Sequence, residues 1–146
     1  MAVMTSGVFP VNNLDIKVAE VGSSNYVAIA DMESADIAVE TGVEEWYSIT
    51  DGGWKKALAT SKAFTMSMAG KRHVGDAGND LIANKWNKNG QDCNVDVRVT
   101  FPNGDILQFT AIASISSIWG AEGTAVAPLE FDLIANGEPV FTLASA

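Results

Sequence analysis

The segment Ser61–Trp86, SKAFTMSMAGKRHVGDAGNDLIANKW, carries the clearest structural signals in the chain. Its first half alternates, with Phe64, Met66 and Met68 on one parity, and this two-residue period predicts a strand with one buried face. A glycine then opens a short basic turn. Asp76 follows as a good helix N-cap, because its carboxylate can accept the free backbone N–H groups of a first helical turn.

The residues after Asp76 predict a helix of three turns. Leu81, Ile82 and Trp86, together with Ala77 or Gly78, recur at the spacing of one helix face, so we expect that face to lie on the core. The segment as a whole therefore predicts a strand, a basic corner and a capped helix, and it places the Trp86 side chain inside.

Outside this segment, two-residue alternation and turn residues recur along most of the chain. Asp31 and Glu33 lie between two alternating runs, where a bulge could absorb a change of parity. Pro102-Asn103-Gly104-Asp105 predicts a hairpin loop. The alternating runs are Leu14–Glu20, Tyr26–Ile29, Ala35–Glu40, Val95–Phe101, Leu107–Ile115, and Leu129–Ala135 paired with Val140–Leu143. The pattern predicts a mostly β fold, a β-sandwich or barrel of about seven strands with one flanking α-helix.

The chain of 146 residues predicts one domain, and no linker divides it. Residues 1–13 contain glycine, proline and an Asn-Asn pair, which is typical of an extended N-terminal arm. Residues 14–146 form the single predicted domain. Within it, residues 41–61 lack a regular period and predict a long loop, whose two tryptophans and one tyrosine we expect to be buried against a neighbouring subunit.

The net charge of −9 is unevenly distributed. Residues 1–54 contain nine acidic residues and one basic residue, residues 55–91 seven basic and two acidic, and residues 92–146 seven acidic and one basic. A basic middle between acidic ends favours attraction between copies of the chain. The overall acidity argues against stable DNA binding, which requires cations that replace phosphate counterions.

The residues of known catalytic and metal sites do not come together in the sequence. His73 is the only histidine and Cys93 the only cysteine, so a catalytic triad with a second histidine, a disulfide and a zinc site are excluded within one chain. Gly70-Lys71 lacks the remaining residues of a phosphate loop. Asp76 and Asp80 lack the spacing of a calcium loop and are better explained by helix capping. We therefore expect no enzyme activity, no cofactor and no metal.

A series of short motifs in a fixed order gives the chain a family resemblance. The motifs are Glu45-Trp46-Tyr47, Asp51-Gly52-Gly53-Trp54, Gly70-Lys71-Arg72, Gly75-Asp76, Gly78-Asn79-Asp80, Phe101-Pro102-Asn103-Gly104, Leu129-Glu130-Phe131-Asp132 and Asn136-Gly137-Glu138-Pro139. In order and spacing the series resembles the major tail protein (tail tube protein) family of long-tailed, non-contractile bacteriophages. The resemblance covers roughly residues 10 to 143.

The resemblance implies a structural subunit of a virion tail, made in the cytoplasm of the bacterial host. Hexameric rings of such subunits stack into a hollow tube, and double-stranded genomic DNA passes through it during ejection without specific binding. The implied partners are copies of the chain itself and the tail tape measure, tail tip and terminator proteins, with no membrane. Tubes of contractile tails and bacteriocins share this fold, so the resemblance leaves the type of machine open.

An acidic lumen would repel the phosphates of passing DNA. The candidates for the lumen are Asp31, Glu33, Asp36, Glu40, Glu130 and Asp132. The candidates for contact between subunits are Trp46, Tyr47, Trp54, Lys55, Lys56, Lys71 and Arg72. The acids of the first strands do not share one parity, so the sequence leaves open which strand face would line the lumen.

A second interpretation is a monomeric β-sandwich that binds carbohydrate or another ligand through its exposed Trp46, Tyr47 and Trp54. The size of the particle in solution distinguishes the two interpretations. A monomer favours the binding module, whereas rings or filaments favour the tube subunit.

Overall fold

The computed structural model describes residues 6–144, which form one antiparallel sheet of eight strands and one short α-helix. The elements are β1 Asp15–Glu20, β2 Val27–Ala28, β3 Met32–Tyr47, β4 Lys55–Lys71, α1 Ala77–Ala83, β5 Asn94–Thr100, β6 Ile106–Ile118, β7 Pro128–Ala135 and β8 Val140–Thr142. The strand order is β2-β1-β5-β6-β7-β4-β3, with β8 also paired to β6. The mostly β class with one flanking helix is confirmed. The first five residues of the predicted N-terminal arm lie outside the described residues.

Strand β6 joins the two layers of the fold. Its first half, Ile106–Ile112, pairs with β5, whereas its second half, Ala111–Ile118, pairs with β7 on the opposite edge. Val18 of β1 and Met66 of β4 stand far apart in the strand order, yet both are fully buried in one hydrophobic cluster. The sheet is therefore folded over itself around a single core, as in a β-sandwich.

The alternation that predicted the strands also selects the core residues. Val95, Val97 and Val99 of β5 are fully buried, while the residues between them are half-buried. The predicted bulge is confirmed at the start of β3, because the pairing with β4 shifts between Met32 and Ser34. The hydrophobic parity is therefore the property that positions these strands.

Helix α1 covers the core beside β1, β2 and β6, with Ile82 and Ala83 buried. The predicted N-cap is confirmed, since Asp76 Oδ2 accepts a hydrogen bond from the backbone N–H of Asn79 at 3.0 Å. The backbone N–H groups of Asn79 and Ala30 hold the pKa of Asp76 below its usual range. In residues 6–144 no helix is long and apolar enough to span a membrane.

The predicted position of Trp86 is wrong. The helix has two turns rather than three and ends at Ala83, where the backbone N–H of Asn84 closes the last turn. Trp86 therefore lies beyond the helix, is 53% exposed, and packs edge-to-face against Trp119 with ring centroids 5.4 Å apart.

The predicted long loop at residues 41–61 is also wrong, because these residues continue β3 and β4 into a hairpin. The two strands pair from Met32 to Tyr47 and from Lys55 to Lys71, with a register shift after Gly42. Both faces of the hairpin are exposed, so no apolar parity marks its strands in the sequence. The bulge breaks the remaining period.

Two smaller expectations fail at strand ends. The last strand, β8, pairs with the first half of β6 at residues 106–108 and not with β7. The backbone N–H of Asn136 donates to the carbonyl of Thr110, which directs the chain after β7 towards β6. The alternation of Ala35–Glu40 places Val39 inside with Ile37, but Val39 is 62% exposed and lies outside the core cluster, beside the open space between the base of the hairpin and the β7–β8 connection.

Candidate assembly surfaces

A polar face covers the side of β3, β4, β7 and β6 that is turned away from the core. Its strand register aligns side chains into rows across the four strands. One row joins Asp36, Ser67, Asp132 and Ser114. The polar face consists of Ser34, Asp36, Ala38, Glu40, Ala63, Thr65, Ser67, Ala69, Ile112, Ser114, Ser117, Glu130, Asp132 and Ile134. These rows contain four carboxylates and no basic side chain, and the next β4 residue of the same parity, Lys71, is ion-paired with Glu33 at the end of the face.

These four carboxylates lack ionic partners. Asp36, Glu40, Glu130 and Asp132 form no ion pair within residues 6–144. Asp36 and Asp132 are separated by the one strand that carries Ser67, which corresponds to about 10 Å between their backbones. At that separation, which exceeds the Debye length of about 8 Å in physiological salt, direct repulsion between the carboxylates is largely screened, but each unpaired carboxylate still adds negative potential next to the face. The polar face therefore presents a negative potential to the solvent.

Two of the six lumen candidates lie at the bulge and are already paired. The carboxylate of Glu33 lies 3.0 Å from Lys71 Nζ. Asp31 has a backbone φ of 60° and hydrogen-bonds His73 Nδ1 through its carboxylate. This hydrogen bond raises the pKa of His73 above 6.5, with smaller contributions from other nearby carboxylates. The structure thus brings four of the candidates together on one face and separates Asp31 and Glu33 from them.

The strand-to-helix corner is held by Asn79, which is fully buried. Its amide nitrogen donates to the carbonyls of Ala30 and Lys71, and its amide oxygen accepts from Arg72 and from the backbone of His73. Four hydrogen bonds on one amide explain how a polar side chain is tolerated in the core. Asn79 thereby fixes the helix to the end of β4 and to the turn between β2 and β3.

Arg72 belongs to this corner rather than to an open surface. Its side chain is 10% exposed, and its Nη1 lies 2.8 Å from Asp80 Oδ1 and 2.9 Å from Asn79 Oδ1. Arg72 is therefore already ion-paired within its own subunit. Lys71, its neighbour in the sequence, is likewise paired, with Glu33.

The remaining five inter-subunit candidates lie together on the projecting hairpin, defined here as Thr41–Ser61. Trp46 is 43% exposed, Tyr47 69% and Trp54 79%. Lys55 and Lys56 form ion pairs with Glu45 and Asp51 on the same hairpin, at 3.3 Å and 2.6 Å. The hairpin extends beyond β7, whose pairing with β4 begins only at Thr65.

Exposed apolar side chains on a two-stranded hairpin are typical of an interaction surface. An isolated hairpin is marginally stable in water, and large exposed apolar patches mark interaction surfaces. The sequence interpretation missed three members of this surface, Val43 at 50% exposed, Ile49 at 97% and Leu58 at 60%. The Asp-Gly-Gly turn at residues 51–53, between aromatic residues on both sides, is the hairpin signal that could have revealed them.

The four-stranded unit that carries the polar face has unpaired edges on both sides. β3 is the last strand of the order, so its outer edge has no partner strand within residues 6–144. β6 pairs with β5 only as far as Ile112, which leaves residues 113–118 without a strand on that edge. Unpaired edges expose backbone donors and acceptors that can pair with another chain.

The described residues contain no group of three or more histidine, cysteine, aspartate or glutamate side chains placed to hold a metal ion. Cys93 is buried and its Sγ donates to the carbonyl of Lys88 at 3.0 Å. The surfaces described above therefore remain the main candidates for function.

Comparison with solved structures identifies the fold. A chain from the tail of an empty gene transfer agent particle, solved by helical refinement with C6 symmetry, is 23% identical and has a TM-score of 0.69; the match covers 93% of this chain and 100% of that one. A chain from the virion of a native gene transfer agent particle is 18% identical with a TM-score of 0.72, over the same shares of both chains.

A third similar chain comes from the sheath-tube complex of an extracellular contractile injection system in its extended state. It is 14% identical with a TM-score of 0.56, and the match covers 94% of this chain and 93% of that one. No protein-family model matches the chain, and no curated protein sequence matches it either. The tail-tube fold that the sequence resemblance implied is confirmed by these structural similarities.

Proposed function

We propose that the protein is a non-enzymatic structural subunit that assembles with copies of itself into the tube of a phage-like tail. One observation carries this proposal. The chain combines the fold of tail proteins with a four-stranded polar face that, within residues 6–144, has four carboxylates without ionic partners and unpaired edges along β3 and along residues 113–118 of β6. The backbone hydrogen-bonding groups of such a sheet are all paired only when strands of other copies pair with its two edges.

Copies placed edge to edge would close a ring. The edge of β3 beyond Ala35 on one copy would meet residues 113–118 of β6 on the next, which is a heterologous contact that closes by rotation. Six copies that contribute four strands each give about 24 strands, and at usual spacing and tilt the barrel diameter is about 45 Å. That opening admits a DNA duplex together with the side chains of the wall.

In such a ring the polar face would form the wall of the lumen. Asp36, Glu40, Glu130 and Asp132 would then repel the phosphates of DNA, whose charges lie about 1.7 Å apart along the duplex axis. A negative wall keeps the duplex mobile, whereas a positive wall would bind it. The small neighbouring side chains, Ser67 among them, would leave the bore wide.

The first test is the size of the assembled particle. Purified protein, alone and together with a tail-tip complex that nucleates assembly, is examined by light scattering and negative-stain electron microscopy. Rings or hollow filaments support the proposal. A particle that remains monomeric under both conditions would reject it and would favour the ligand-binding interpretation of the exposed tryptophans.

The second test addresses DNA passage. Asp36→Asn, Glu40→Gln, Glu130→Gln and Asp132→Asn are combined in one variant, which should still assemble because these side chains do not contact the core. We expect DNA ejection from particles with this variant to slow or stall. Ejection at the wild-type rate would exclude a role for the acidic face while leaving the tube intact.

The projecting hairpin and the N-terminal arm are the proposed contacts between stacked rings. The hairpin supplies exposed aromatic side chains, and the described part of the arm supplies Val8, which is 97% exposed. Tail tape measure, tip and terminator proteins would bind the lumen and the two ends of such a tube. The similarity to a contractile injection system keeps a tube inside a sheath as the second candidate.

A further inference from the structure

Three asparagines of the chain are followed directly by glycine, at Asn89-Gly90, Asn103-Gly104 and Asn136-Gly137. In such a pair the asparagine can react with its own backbone, because the glycine has no Cβ atom that hinders the approach. The glycine nitrogen loses its proton and attacks the asparagine Cγ. A C–N bond forms, the Cγ–Nδ2 bond breaks, and ammonia leaves.

The product of this attack is a five-membered succinimide ring. Water opens the ring at either carbonyl and gives aspartate or isoaspartate. The net reaction consumes one water and releases one ammonia, so it needs no oxidant, reductant or enzyme. Each event converts a neutral amide into a carboxylate. The hydrogen bonds around each of the three pairs therefore decide which asparagine is free to react.

The reacting groups of Asn103, in the loop between β5 and β6, are held by hydrogen bonds. Its Oδ1 accepts from the backbone N–H of Asp105 at 3.1 Å, and its Nδ2 donates to Asp105 Oδ2 at 2.9 Å. The attacking nitrogen, that of Gly104, donates to the carbonyl of Phe101 at 2.9 Å. These bonds must break before attack, so we expect Asn103 to react slowly although it is exposed.

The pair after helix α1 is restrained through its backbone. Asn89 has a ψ of 163°, and a short 3₁₀ helix, Gly90–Cys93, begins directly after it. Ring closure requires Cβ and the attacking nitrogen to be nearly eclipsed about the Cα–C bond, and this ψ leaves them well apart. The Sγ of Cys93 donates to the carbonyl of Lys88, which ties the 3₁₀ helix to the residue before Asn89. Rotation towards the reactive geometry would disturb both.

Asn136 has neither restraint. Asn136 and Gly137 are exposed and lie in the β7–β8 connection, outside any helix or strand. Within residues 6–144 the Asn136 amide and the Gly137 N–H have no hydrogen-bond partner. A Cβ atom at Gly137 would meet nothing within 4 Å, so the space around the reacting bond is open.

We infer that Asn136 is a site of spontaneous deamidation, and that the reaction adds a carboxylate at the end of the polar face. Asn136 follows Glu130, Asp132 and Ile134 at the same parity of β7. Its backbone N–H donates to the carbonyl of Thr110, which continues the β6–β7 register by one position. The negative charge of this end of the face therefore increases as the protein ages.

The test measures the three reactions in one sample. Purified protein is incubated slightly above neutral pH, folded or unfolded in guanidinium chloride. Trypsin and a glutamate-specific protease then place the pairs in separate peptides, residues 89–98, 99–122 and 131–138. Mass spectrometry quantifies the exchange of an amide for a carboxyl group. In the folded chain Asn136 should react first and Asn103 at least about tenfold more slowly, whereas the unfolded chain should show similar rates.

Two variants test the physical cause. Asp105→Ala removes the acceptor of the Asn103 amide nitrogen, so the reaction at Asn103 should accelerate several-fold while that at Asn136 stays unchanged. Asn136→Gln lengthens the side chain, so that attack would have to close a less favourable six-membered ring. The acidic form that accumulates in ion-exchange chromatography of the wild type should therefore be largely absent from Asn136→Gln. Thermal midpoints equal to that of the wild type show that both variants are folded.

Every other outcome overturns the inference. Asn136 that stays intact in the folded chain while the unfolded chain reacts would exclude it as a site. Faster reaction at Asn89 would assign the modification to the turn after α1, and equal rates at Asn103 and Asn136 would show that the hydrogen bonds do not control it. The reaction is followed in the unassembled chain, so it is judged separately from the proposed tube.

Discussion

At the scale of single residues, Gly78 shows how closely the helix lies on the sheet. A Cβ atom at this position would stand 2.1 Å from the backbone oxygen of Ala28. Backbone atoms cannot move aside as a flexible side chain can, so the helix itself would have to shift. The glycine is therefore required by packing, although glycine in a helix interior is ordinarily unfavourable.

We predict that Gly78→Ala reverses the usual sign of this substitution. In an exposed helix it would stabilise by about 1 kcal/mol, whereas here overpacking should lower the free energy of unfolding by about 1–3 kcal/mol. Urea unfolding at low protein concentration measures the change. Gly123→Ala is the control, since nothing lies within 4 Å of a Cβ at that position. Equal midpoints for Gly78→Ala and the wild type would contradict the packing argument.

His73 provides a second prediction, because it is the only histidine and gives one resolvable NMR titration. The hydrogen bond to Asp31 raises its pKa above 6.5, so the protonated ring is favoured in the folded state. The resulting stabilisation is fully present below about pH 6.5 and is lost as the pH rises through the folded-state pKa. Asp31→Asn should lower the pKa of His73 and flatten this dependence. An unchanged titration in the variant would remove Asp31 as the cause.

At the scale of elements, the sequence predicts the strands that have one buried face and one exposed face. Val95, Val97 and Val99 each face the core, so their alternation identifies β5 without ambiguity. The sequence does not predict the hairpin at residues 41–61, because both of its faces are exposed in one copy. Its apolar and polar residues therefore do not alternate with the two-residue period of a half-buried strand. Trp86 was misplaced because helix length depends on where Asn84 ends the helix, which the apolar spacing does not reveal.

The candidate site was predictable to a similar extent. The resemblance and the charges of the side chains identify Asp36, Glu40, Glu130 and Asp132 as candidates, but their common face depends on the register between strands distant in sequence. No local pattern contains that register. The pairing of Arg72 inside the corner was unpredictable for the same reason, since it depends on the tertiary position of Asn79.

The projecting hairpin should be needed for tube formation but not for the stability of the monomer. Replacement of residues 43–60 by Asn-Gly joins Gly42 to Ser61 through a two-residue turn, and these residues already pair. The removed residues do not belong to the core cluster, so the thermal midpoint of the monomer should change little while tube formation is lost. Calorimetry and electron microscopy measure the two properties. Tubes of normal length in this variant would show that the hairpin is dispensable.

At the scale of the whole molecule, charge and core occupy opposite sides of the same strands. Asp36 and Asp132 face away from the core, whereas their neighbours Ile37 and Phe131 point towards it. Asp36→Lys with Asp132→Lys should therefore leave the subunit folded and, in the proposed tube, line the wall with cations. We expect such tubes to retain DNA, with retention falling steeply as salt rises.

The control variant makes the same change in net charge at positions away from the polar face. Asp92→Lys with Glu122→Lys changes the net charge equally at exposed positions off the polar face. DNA retention measured by co-sedimentation should rise for the first pair and not for the second. Equal retention by both variants would attribute the effect to net charge and not to the wall.

The row through Asp36, Ser67, Asp132 and Ser114 has a use beyond the native molecule. Each of these positions can change its chemistry without touching the interior, since the neighbouring residue on the strand alone supports the fold. In the proposed tube, histidines introduced along the row would repeat at every subunit around and along the bore. Such a conduit could template the deposition of a metal thread, with a periodicity set by the stacking of the protein.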